Sequence, residues 1–77
     1  MPAEFVERIR NELAETLTLA RGASSLPWRD PTAATLVELR FNSIAGWLPE
    51  ADAESLRSAF GTEMRRLWEA AAGQAAE

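Results

Sequence analysis

DPTAATLVELRFNSIAGWLP, residues 30–49, is the stretch on which the fold turns. Asp30 before Pro31 is a helix start. The Asp carboxylate can accept from a free first-turn N–H, and proline at the first helical position gives up no hydrogen bond. Pro49 closes the stretch, because proline disfavours helical backbone at the residue before it. A helix is therefore expected over 31–46. Stepping about 100° per residue, Ala33, Ala34, Leu36, Val37, Phe41, Ile44 and Ala45, extended by Trp47 and Leu48, cover roughly half the wheel. One neighbour needs a narrower stripe, so this segment is expected to be the central helix of a bundle. Leu39 lies opposite the arc and is expected to be exposed in a monomer.

Upstream, Ala3–Arg21 collects Phe5, Val6, Ile9, Leu13, Thr16, Leu17 and Ala20 in one arc of about 120°, with most charges outside it. Pro2 opens this helix and Gly22 ends it. Glu4 and Glu7 suit the positive dipole end and Arg21 the negative one. The linker, residues 22–30, reads GASSLPWRD and breaks every periodic pattern. Downstream, Asp52 is the expected N-cap of a third helix over 53–72. Leu56, Phe60, Met64, Leu67, Trp68 and Ala71 form its stripe, which crosses Gly61 without changing phase, so one continuous helix is expected. Gly61 offers room for close approach of another helix. Gly73 is the expected stop, with residues 74–77 frayed.

No segment alternates with period two. The fold expected is all-α: a single domain over 1–77, built as a small antiparallel three-helix bundle, standing alone or completed by self-association as a dimer. A domain of this size buries only about 60% of the surface of its unfolded chain. Such scaffolds usually need a staple, and this one has none to hand.

Composition closes many routes. The chain has 77 residues, 12 acidic against 8 basic, a formal net charge of −4, and no His or Cys. All the basic residues are Arg, and Lys and Tyr are absent. Imidazole bases, thiolates, disulfides, Schiff bases and ordinary zinc sites are excluded. The Glu residues are spread over solvated faces, and no Gly-rich phosphate loop or nucleophile elbow occurs, so neither catalytic nor metal-binding residues are assigned, no cofactor is implied, and no enzyme is expected. Scattered Arg on an acidic chain argues against nucleic-acid and anionic-membrane binding. Met1-Pro2-Ala3-Glu4 lacks a basic n-region and a long apolar run, which points to the cytoplasm. Arg without Lys beside 15 Ala suggests a GC-rich, bacterial genome.

Phe41-Asn42-Ser43-Ile44 resembles the Asp-Ser-Leu/Ile attachment motif of acyl and peptidyl carrier proteins, with Asn at the Asp position. The likeness implies Ser43 as a phosphopantetheine site. It covers about five residues, and it departs from the family where Arg40 replaces Gly and where Ser43 falls near the end of its helix rather than at the start. Another alternative is an acidic inhibitor that mimics nucleic acid, using the acid-rich half from Leu48 onward. Arg57, Arg65 and Arg66 interrupt that half.

The remaining signal is a surplus of large apolar residues: Leu19, Leu26, Trp28, Leu39, Trp47 and Trp68. Leu26-Pro27-Trp28 is expected to plug the bundle end, the alternative being an extended peptide offered to a partner. Arg40 and Arg57 interrupt the apolar arcs of their helices, and their stems are expected to lie over Trp rings. Trp and Arg dominate interface hot spots. Leu39, Arg40, Trp47, Trp68 and Trp28 are therefore the expected contact residues of a protein–protein interaction module. Its partner would be a second copy or a larger protein.

Overall fold

The computed structural model describes residues 2–75 and contains three helices: α1 (Ala3–Gly22), α2 (Pro31–Ala45) and α3 (Glu50–Ala75). The expected starts of α1 and α2 hold, and both ends fall within one residue of expectation. Asp30 caps α2 as its sequence implied, its Oδ1 accepting from the Ala33 N–H at 2.7 Å. Past Ala45 the chain tightens into a turn of i→i−3 bonds, Trp47 N–H to the Ile44 carbonyl and Leu48 N–H to the Ala45 carbonyl. Leu48 is thereby turned into the core.

α3 departs from expectation at both ends. It begins at Glu50, so Asp52 lies inside the first turn rather than capping it. The Pro49 carbonyl takes the first helical bond, from the Ala53 N–H at 2.9 Å. Asp52 instead accepts from Arg10 Nη1 of α1 at 2.8 Å. Gly73 does not stop the helix, which continues to Ala75; residues 76–77 of the expected frayed tail lie outside the described residues. α3 is continuous through Gly61, as its unbroken stripe implied. No helix approaches that glycine, since a Cβ placed there would meet nothing within 4 Å.

The three helices run up, down and up. Phe5 with Trp47 and Glu12 with Arg40 fix α1 against α2 as antiparallel. Asn42 with Arg57 and Glu38 with Trp68 do the same for α2 and α3. Arg10 with Asp52 and Ala20 with Arg66 show α1 and α3 running together. The core between them holds Ile9, Leu13 and Leu17 of α1, Phe41 of α2, and Phe60, Met64 and Leu67 of α3. Phe41 and Phe60 stack at its centre with ring centroids 4.0 Å apart and planes 13° off parallel.

α2 is not the central helix. All three pairs pack, and the most extensive contact is between α1 and α3. The reason lies in what α2 buries: Ala34, Phe41 and Ala45, two of which are alanines. Val37 and Ile44 are partly buried against the core. Of the rest of its wide apolar arc, Leu36, expected inside, faces solvent, as does Trp47 in the turn beyond. Phe5, expected in the α1 core stripe, is likewise exposed.

Candidate interaction surface

Polar bridges fix the three helices before any apolar surface is left over. Arg40 reaches α1 as a fork, Nε donating to Glu12 Oε2 at 2.7 Å and Nη2 to Oε1 at 3.0 Å. The hydrogen bond from Arg40 holds the Glu12 carboxyl below its usual value, partial desolvation opposes this, and the Arg40 charge adds to the lowering. The same pairing raises Arg40. An Arg expected to lie over a Trp ring is thus engaged with a carboxylate, because Glu12 sits one helix away at matching height and offers two planar acceptors.

Arg57 is also drawn elsewhere than expected. Its Nη2 donates to the Asn42 carbonyl in the last turn of α2 at 2.6 Å. Arg66 does the equivalent for α1, Nη1 donating to the Ala23 carbonyl and Nη2 to the Ala20 carbonyl, both at 2.9 Å. Two arginines of α3 therefore close the C-terminal ends of the other two helices, where free carbonyls and the negative end of the dipole favour a cation. Sequence had singled out Arg57 as an interruption of its arc. Nothing in the local pattern marked Arg66, whose acceptors lie more than forty positions away.

The tryptophans divide. Trp28 and Leu26 pack against the core from the linker, as a plug rather than an offered peptide. Trp68 is also partly buried against the core, with its indole N–H donating to Glu38 Oε1 at 2.5 Å. Those two expected contact residues are engaged within the fold. Trp47 is 56% exposed and forms an edge-to-face pair with Phe5, with centroids 6.0 Å apart and planes at 86°. Leu39 is 59% exposed and Leu36 60%. With Phe5 and Leu19, they complete the set of exposed large apolar side chains among the described residues. All five belong to α1, α2 and the turn after α2, and none to α3.

The α2 part of this surface contributes few charges of its own. Between Pro31 and Pro49 the chain carries one Glu and one Arg, and both are already bonded to other helices. The acids of α3 do not form an uninterrupted face, since Asp52 pairs with Arg10 and Glu63 with Arg66. Ser43 is exposed near the end of α2. Among the described residues no group of three His, Cys, Asp or Glu is placed to hold a metal ion, and no helix is long and apolar enough to cross a membrane. No protein-family model, curated protein or solved structure matches the chain.

Proposed function

We propose that this protein is a non-enzymatic interaction module of the cytoplasm, a small acidic accessory subunit or adaptor that works by offering its α1/α2 face to a protein partner. One observation carries the reading: every exposed large apolar side chain among the described residues lies on α1, α2 or the turn that follows α2. Single exposed leucines are ordinary. Five large apolar residues confined to α1, α2 and the turn after α2, with none on α3, are what a contact surface needs. None of the five is among the fully buried core residues, and Leu36, Leu39 and Trp47 each have more than half of their surface open to solvent.

Site-specific photocrosslinking tests the proposal. A photoreactive residue at Leu39 is compared in living cells with the same residue at Glu69, which is exposed on α3. The expected result is a discrete protein adduct from position 39 and none from position 69. Equal labelling from both positions, or none from position 39, overturns it.

A further inference from the structure

Residues 23–30 carry the chain from the end of α1 to the start of α2. Both ends of this segment are pinned. The Ala23 carbonyl accepts from Arg66 Nη1 at 2.9 Å, and Asp30 caps α2 through the Ala33 N–H at 2.7 Å. Between the pins the chain is held differently. Among the described residues, none from Ser24 to Arg29 makes a backbone–backbone hydrogen bond. Arg29 meets only the neighbouring Asp30, at 3.5 Å, and its side chain is 89% exposed. What keeps the segment down is the packing of Leu26 and Trp28 against the core, and both side chains are only partly buried.

The segment is also longer than its span requires. Seven peptide steps separate Ala23 from Asp30. Extended, they would reach about 25 Å, whereas the axes of packed neighbouring helices lie about 10 Å apart. The surplus is folded inward, and what it covers is the end of the core. Leu67 is fully buried. Yet Arg66, the residue before it, already meets the last carbonyls of α1. α1 stops at Gly22, so on that side Leu67 is closed by the segment rather than by a helix.

We propose that residues 24–29 form a strap that lifts as a unit and uncovers Leu67 while the three helices stay packed. Each helix pair keeps a tie outside the strap: Arg40 with Glu12, Trp68 with Glu38, and Arg10 with Asp52. Lifting breaks no backbone–backbone hydrogen bond of the strap and gives up only the packing of Leu26 and Trp28. The slack between the pins lets this happen without moving a helix. A segment so held opens far more often than the whole domain unfolds. The strap is thus a gate over one end of the core. It lies opposite the end where Trp47 meets Phe5, and it works independently of the contact face.

Thiol labelling tests the gate, because the chain has no Cys of its own. Leu67→Cys and Leu13→Cys each place a single thiol at a fully buried position. Labelling by a thiol reagent is followed at low urea concentrations. Each rate is compared with the rate allowed by that variant's own global unfolding, measured by far-ultraviolet circular dichroism. Leu13→Cys is expected to label only through global unfolding, with the full dependence on urea. Leu67→Cys is expected to label about tenfold or more faster than its global unfolding allows, with a much weaker urea dependence, because little surface is exposed. Adding Trp28→Ala to Leu67→Cys removes the larger anchor and should speed labelling about tenfold further, with the helical dichroism kept. If Trp28→Ala does not fold, Leu26→Ala takes its place with a smaller gain. Labelling of Leu67→Cys only through global unfolding overturns the proposal. So does equally fast labelling of Leu13→Cys, which would place the opening in the helices, or a rate at Leu67→Cys indifferent to the loss of the anchor.

Discussion

Arg66 offers a sharp check on how the bundle holds its ends. Its guanidinium places two hydrogen bonds, each of 2.9 Å, on the Ala20 and Ala23 carbonyls at the end of α1. A hydrogen bond from a charged donor is worth about 1.5–3 kcal/mol when sheltered. The Arg66 side chain is 44% exposed, and solvent screening reduces each bond to about 0.5–1 kcal/mol. A cation against the end of a helix dipole adds about 0.3–1 kcal/mol. Arg66→Met keeps most of the apolar stem and removes both effects, so it is expected to lower stability by about 1.5–2.5 kcal/mol. A domain of this length stands at about 4–11 kcal/mol in all, so the loss is a large share of it. Arg66→Lys keeps the charge but not the fork and should recover about half. The assay is urea unfolding followed by far-ultraviolet circular dichroism, with Arg65→Met as the exposed neighbour and Glu63→Gln to isolate the short ion pair within α3. If Arg66→Met falls within about 0.3 kcal/mol of Arg65→Met, the capping argument is wrong.

Other expectations follow from the same structure. Gly61→Ala should stabilise the protein by up to about 1 kcal/mol in urea, because the site is open and helical; a loss of stability would mean that the glycine serves a contact. Phe60→Ala removes half of the central stack and should cost about 3–5 kcal/mol, leaving a partly unfolded protein at 37 °C with weakened near-ultraviolet dichroism. Glu12 titrates below its usual value in the folded state, so its pairing with Arg40 stabilises the fold above the unfolded glutamate pKa of about 4.3 and loses that contribution as pH falls through the lower folded value. Glu12→Gln should accordingly be less stable than wild type at pH 7, with the difference closing as pH falls through the lowered folded value; a difference that stays constant into acid would assign the effect to packing instead.

The sequence by itself determined the number of helices, the starts of α1 and α2, and most of the core. Those depend on short-range causes: Pro31 after Asp30, Pro49 as a stop, and stripes whose period is set by the helix itself. It also determined that Leu39 faces water, since a residue opposite its own helix's arc has nowhere else to go. Where sequence misled, the missing information was the position of a neighbour. Asp52 has the chemistry of an N-cap, but Pro49 lets the helix start earlier and Arg10 claims the carboxylate. Arg40 and Arg57 lay among apolar residues in the linear pattern, and only the packed bundle brought Glu12 and the Asn42 carbonyl within reach. The apolar half-wheel of α2 signalled two buried flanks. In the folded chain α1 and α3 pack most extensively on each other, and alanines suffice for much of the α2 contact. Leu36, Leu39 and Trp47 thus remain in solvent. Periodicity tells a helix which residues are apolar, whereas the number and placement of its neighbours decide which of them are covered, and that is settled only when the three helices meet.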